Sequence, residues 1–140
     1  MFQVPWLPEL LISVGDYAAI NDVFRGRNTG ACNKAAFPPD VVEAYKYTFS
    51  QPGALTAPLN YYRCMLQRRR ELGKASAKNI EVPTLIIWGD DDMAFENSLA
   101  DAHSSIVTNL TVKHIPNCSH WVQQDAPDLV NQYMREFLEN

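Results

Sequence analysis

Positive charge is in short supply in this sequence: 12 Lys and Arg stand against 16 Asp and Glu in 140 residues, for a formal charge of -4 and a pI of about 5.3. Binding nucleic acid requires a basic face that neutralises phosphates, so no nucleic-acid partner is expected. The basic residues gather only in Arg68-Arg69-Arg70 and at Lys74 and Lys78, a run expected to cover the solvated end of a helix. Cysteine is scarce too. Cys32, Cys64 and Cys118 cannot all pair and form no C-x-x-C, which excludes a disulfide framework and suits a reduced, intracellular setting. No apolar run reaches the roughly 20 residues a bilayer span needs. The opening Met1-Phe2-Gln3-Val4-Pro5-Trp6 has no charged segment ahead of an apolar one, so it does not read as a signal peptide. A glycine-rich phosphate loop is also missing. What remains, 46% hydrophobic and 20% charged, is the make-up of an ordinary folded domain with enough apolar surface to bury a core.

Two regions differ in pattern. Residues 1–80 read as helices separated by Pro and Gly breaks. Leu7, Leu10, Leu11, Val14, Tyr17 and Ala18 recur at helical spacing until the Gly26 to Gly30 interruption. Behind Pro38-Pro39, Asp40 with Glu43 has the form of a capping box opening a helix that ends at Gln51-Pro52-Gly53. A third helix, about Leu55 to Leu72, sets Leu59, Tyr62, Met65 and Leu66 along one face. Residues 81–140 change character. Thr84 to Trp88 is a short continuous apolar run, as in strands buried on both faces, bounded by Pro83 and Gly89. A helix over Glu96 to Ile106, a strand over Leu110 to Ile115 and a last helix over Pro127 to Leu138 complete an α/β alternation that implies parallel strands. Two parallel strands leave open edges, so the pattern reads as the end of a larger sheet.

The residues that could do chemistry lie at the carboxyl ends of those strands, where open α/β proteins keep their sites. Asp92 follows the first strand and its glycine turn. The position equally suits an Asx turn or a helix cap, shared with Asp90 and Asp91, and the residues alone leave both readings open. His120 lies on the loop Pro116 to Trp121 after the second strand, at the same edge. A carboxylate there could orient an imidazole that works as a base. No metal is expected, because this stretch lacks the oxygen set that calcium or magnesium needs, and Cys118, His120 and His114 lack the paired spacing of zinc sites. Tyr62, in Asn60-Tyr61-Tyr62-Arg63, could hold a developing oxyanion or donate a proton, although packing is the plainer role on an amphipathic helix. Arg63 reads as a surface or salt-bridging group, and Trp88 and Trp121 as packing residues beside the site, able to shape an apolar pocket. No G-x-S-x-G, G-x-D-x-G or G-x-C-x-G occurs, and Gly15-Asp16 lies inside a helical stretch, so the 140 residues contain no recognisable nucleophile elbow.

Four blocks resemble the α/β-hydrolase superfamily, and within it the epoxide hydrolases of the animal 4 and 3 group. They are W-G-x-x-D (Trp88 to Asp92), S-H-W-x-Q-Q-D-x-P (Ser119 to Pro127), P-G-A-L-T-x-P-L-N-x-Y-R (Pro52 to Arg63) and F-Q-V-P-W-L-P-E (Phe2 to Glu9). The resemblance implies an α/β-hydrolase fold with a helical cap (lid) at residues 1–80 and the last two parallel strands and helices of the core at 81–140, truncated at its N-terminus. In that family an aspartate attacks an epoxide carbon while two cap tyrosines hold the oxygen; water activated by a histidine-acid pair then hydrolyses the ester to a vicinal diol, with no cofactor. The resemblance maps the acid onto Asp92, the base onto His120 and one cap tyrosine onto Tyr62, with a small apolar epoxide as substrate. It sets the nucleophilic aspartate, the oxyanion motif and the second tyrosine upstream of Met1, so this chain by itself is expected to be inactive. Membrane contact is expected only through such upstream sequence, and the expected location is intracellular, in the cytoplasm or at the ER membrane, a choice this sequence leaves open.

Two rivals remain from the sequence. A haloalkane or fluoroacetate dehalogenase shares the first two blocks and the ester intermediate, but a phenolic proton donor such as Tyr62 suits an epoxide better than a halide. A non-catalytic binding or dimerisation module would use the exposed sheet edge and the apolar run Leu85 to Trp88.

Overall fold

The computed structural model describes residues 3–72 and 79–139. Of the basic run, Lys74, Lys78 and the side chains of Arg69 and Arg70 lie outside the described residues. The chain divides into two compact units, Met1–Val23 with Pro38–Ser76, and Phe24–Phe37 with Ala77–Asn140.

The first unit is helical. Helix α1 (Leu7–Arg25), which belongs to this unit as far as Val23, is broken in the middle. Val14 is extended, and Gly15, Asp16 and Tyr17 take φ of 63°, 56° and 56°. The helical spacing from Leu7 to Ala18 therefore does not run through one rod. Glycine enters the left-handed region without a Cβ penalty and stops the first segment there. Helix α2 (Pro39–Ser50) starts with Pro39 at its first position, where a missing N–H costs nothing. The capping box expected from Asp40 and Glu43 does not form, because the cap position is Pro38, which has no side chain able to accept. Asp40 lies in the first turn, and Glu43 pairs instead with Lys46 at 2.8 Å, which also reaches Asp16 at 3.1 Å. Val42 is the buried anchor of α2. Helix α3 (Thr56–Leu72) begins next to buried Leu55 and buries Leu59, while Tyr62, Met65 and Leu66 farther along are exposed. Arg63 forms a two-pronged ion pair with Glu9, Nη1 to Oε1 and Nη2 to Oε2 both at 3.0 Å, and its guanidinium holds the Glu9 carboxyl below the usual range.

The second unit contains the sheet. Strands β1 (Thr84–Gly89) and β2 (Leu110–Ile115) pair in parallel, in register from Thr84 opposite Leu110 to Gly89 opposite Ile115. The apolar run of β1 is half-buried until Gly89, not buried on both faces as its composition suggested. The helix expected over Glu96 to Ile106 is shorter: α4 (Ser98–Ala102) tightens at once into a 3₁₀ turn, His103–Ser105, and the His103 ring meets the Leu99 carbonyl at 2.7 Å. After β2 come the single turn α5 (Val122–Asp125) and helix α6 (Pro127–Leu138), opened by a proline at its first position. Ile115, Cys118, Val122 and Val130 form the core, with Ile87, Ala126, Leu129 and Tyr133 packed on it. Of the apolar stripe on α6, Val130 is buried, Tyr133 and Phe137 are half-buried, and Met134 and Leu138 are exposed. The Phe24–Phe37 segment is stitched internally by Arg25, whose guanidinium donates to the Lys34 carbonyl at 3.0 Å and to the Phe37 carbonyl. Its two aromatic ends stack at 4.6 Å and pack on Trp121 at 5.0 and 5.9 Å.

Candidate active site

The site begins where β1 runs out. Gly89 ends the strand directly under the loop that follows β2: a Cβ there would lie 2.4 Å from the carbonyl oxygens of both Cys118 and Ser119. Only glycine allows that approach. The two loops are then joined by backbone hydrogen bonds, from Asp90 N–H to the Ile115 carbonyl at 3.0 Å and from Asp91 N–H to the Cys118 carbonyl at 2.9 Å. A tight turn, Asp92 N–H to the Gly89 carbonyl at 3.1 Å, aims the Asp92 side chain back toward the second loop.

Asp92 and His120 meet there. His120 Nδ1 lies 2.9 Å from Asp92 Oδ2, while Asp92 Oδ1 accepts the N–H groups of Ala94 at 2.7 Å and Phe95 at 3.1 Å. The carboxylate therefore makes the Asx-type turn with one oxygen and holds the imidazole with the other. Its side chain is 6% exposed, against 45% for His120. Burial pushes the Asp92 carboxyl up, but the hydrogen bonds from His120, Ala94 and Phe95 outweigh it and hold the group below the usual carboxylate range. An ionised Asp92 fixes the proton on Nδ1, which leaves Nε2 as the nitrogen able to take one from water. Phe95 and Trp121 flank the imidazole, each with its ring centroid 5.8 Å away.

The neighbouring groups have other tasks. Asp90 accepts from His114 Nδ1 at 2.8 Å and so ties the ends of the two strands. Trp88 donates through Nε1 to Asn97 at 3.0 Å, and Trp121 donates to the Thr29 carbonyl at 3.3 Å while packing on Phe24 and Phe37. Cys118 is buried, and burial raises its thiol to about 11, which keeps it neutral and unreactive. Among the described residues no group of three or more His, Cys, Asp and Glu side chains could hold a metal ion. No helix among them is long and apolar enough to cross a membrane. Tyr62 belongs to the first unit, exposed on α3, whereas Asp92 and His120 belong to the second. Two residues that sequence reasoning did not single out stand close to the pair. Phe95 follows the aspartate turn, a place where a lone aromatic in an exposed loop was the available signal. Asp125, in the S-H-W-x-Q-Q-D-x-P block, accepts the Ser119 N–H at 2.7 Å directly before His120.

Parallel strands with an acid at the end of one and a histidine past the end of the next agree with the sequence pattern of the α/β hydrolase fold, which matches residues 40–127. The chain belongs to that family. Among curated proteins it is similar to Epoxide hydrolase 3 of Mus musculus, 38% identical over 142 aligned positions that cover 100% of this chain and 37% of the relative. Epoxide hydrolase 4 of Homo sapiens is 36% identical over 145 positions, covering 98% of this chain and 37% of that protein. The chain thus spans 37% of the length of these relatives. A crystal structure of an epoxide hydrolase from Bacillus megaterium superposes with a TM-score of 0.78 at 23% identity, over 99% of this chain and 49% of that one, a likeness of fold.

Proposed function

We propose that these residues supply the water-activating half of an epoxide hydrolase site, with His120 as base, Asp92 as the acid that orients it and Tyr62 as a proton donor to the epoxide oxygen. On this reading residues 1–80 are the cap and 81–140 the end of the core, and the substrate is a small apolar epoxide. An attacking carboxylate forms an ester with one epoxide carbon, the ring C–O bond breaks, and its oxygen takes the phenolic proton. Water, losing a proton to Nε2 of His120, then attacks the ester carbonyl; the ester bond to the alkyl oxygen breaks, and the proton on His120 and that of the new carboxyl pass to the leaving alkoxide and the Tyr62 phenolate, so the carboxylate is regenerated and a vicinal diol leaves. The net change is addition of water to the epoxide. The attacking carboxylate has no elbow motif among these 140 residues and is drawn from outside them, so the chain on its own does not form the ester.

The observation that carries this reading is the 2.9 Å contact between His120 Nδ1 and a nearly buried, ionised Asp92, beside which stand relatives named epoxide hydrolases. It is tested in a polypeptide joining these residues to an aspartate elbow. With an epoxide, His120→Ala should accumulate one equivalent of covalent adduct, seen by intact-mass spectrometry, without steady-state diol. Full turnover by that variant would remove His120 from the role.

A further inference from the structure

Asp125 closes α5, and the reaction above gives it no part. Its carboxylate nevertheless sits at the junction of two segments. Oδ1 accepts the Asn33 N–H at 2.8 Å, and Oδ2 accepts the Ser119 N–H at 2.7 Å. The Ser119 side chain and the Cys32 backbone add to the stabilisation of the ionised carboxylate. Ser119, 4% exposed, accepts the Trp121 N–H on its own Oγ at 3.1 Å. Both chain neighbours of His120 are therefore tied, directly or through one hydroxyl, to a single carboxylate. Burial pushes the Asp125 carboxyl up, but these donors outweigh it and keep the group below the usual carboxylate range. With each oxygen already accepting a backbone N–H, Asp125 has the geometry of an anchor.

We propose that Asp125 is a positioning residue for His120: its carboxylate fastens the loop 116–121 to the Ala31–Asn33 segment and thereby holds the imidazole at hydrogen-bonding distance from Asp92. The importance of that geometry rests on the role of His120 given above, whereas the geometry itself can be measured without any reaction. An ionised carboxylate is required because an amide offers one weaker acceptor oxygen and two donors, which would face the N–H groups of Asn33 or Ser119.

The test is ¹⁵N-resolved NMR of the 140-residue chain, following the His120 Nδ1–H proton and its exchange with water. Asp92→Ala identifies the signal by removing the acceptor. Asp125→Asn should shift the Asn33 and Ser119 amide protons upfield and speed exchange of the His120 Nδ1–H by about tenfold or more, the usual size of a lost charge-assisted hydrogen bond. Asp125→Glu should restore part of the protection. Should Asp125→Asn fail to fold, Ser119→Ala removes only the hydroxyl link to Trp121 and should accelerate the exchange by a smaller factor. An unchanged His120 signal in a folded Asp125→Asn chain, or in Ser119→Ala, would overturn the proposal. If the exchange behaves as expected but the elbow-bearing polypeptide hydrolyses no epoxide, the proposed activity falls and the positioning role stands.

Discussion

Gly89 and Cys118 approach so closely that a methyl group on the glycine would lie 2.4 Å from the cysteine carbonyl oxygen, with the Ser119 oxygen at the same distance. Neither obstacle is a flexible side-chain end. Both belong to the backbone of the loop that bears His120, so the contact sets the height of that loop over the end of β1.

Gly89→Ala should therefore destabilise the chain by about 1–3 kcal/mol, as overpacking does, and move the His120 loop. Gly15→Ala makes the contrasting case. A methyl there meets nothing nearer than the Ala18 Cβ at 3.7 Å, but φ is 63°, so the cost is conformational, about 1–2 kcal/mol. Denaturant unfolding of both variants measures the losses. Only Gly89→Ala should also shift the His120 and Ser119 resonances.

Acid should weaken the hold of Asp92 on its loop. Its folded carboxyl ionises more readily than a free one, so the stabilisation it supplies is complete above the ordinary aspartate range and is lost as pH falls through the lowered folded value. Asp92→Asn should cost about 1–3 kcal/mol near neutral pH and progressively less in acid, where the native carboxyl is protonated as well. Urea titrations of the two chains across that range give the difference. A gap that stayed constant down through the acid range would contradict the assignment of an ionised Asp92.

Thiol chemistry should separate the three cysteines. Cys32 and Cys64 are exposed, whereas Cys118 is buried with a thiol pushed up to about 11. Brief iodoacetamide treatment of the native chain at mildly alkaline pH should label Cys32 and Cys64 and spare Cys118, with full labelling after unfolding. Peptide mass mapping reads the result, and prompt native labelling of Cys118 would contradict the packing described around Val122.

Much of the architecture is a local property of this sequence. The strands Thr84–Gly89 and Leu110–Ile115 and the helix Pro127–Leu138 follow from apolar period and from punctuation by Pro83, Gly89 and Pro127, which act within a few residues of themselves. Parallel pairing follows from the strand-helix-strand order, and with it the emergence of Asp92 and His120 at one edge. Where neighbouring residues competed, local reasoning failed. A capping box was legible at Asp40 and Glu43, but Pro38 took the cap; a helical pattern ran through Gly15, but the backbone turned left-handed there.

Tertiary structure alone decided the rest, because it depends on which backbone passes over which. The pattern W-G-x-x-D singles out Asp92 among three successive aspartates but assigns no partner to Asp90. Only the fold gives Asp90 to His114 and divides the Asp92 oxygens between a turn and the expected imidazole of His120. Likewise Asp125 reads as one more acid near a helix start until Asn33, far away in the chain, brings its N–H to within 2.8 Å. Hydrogen bonds and close contacts are short-ranged and directional, so residues remote in sequence acquire their roles only once folding has placed their partners beside them.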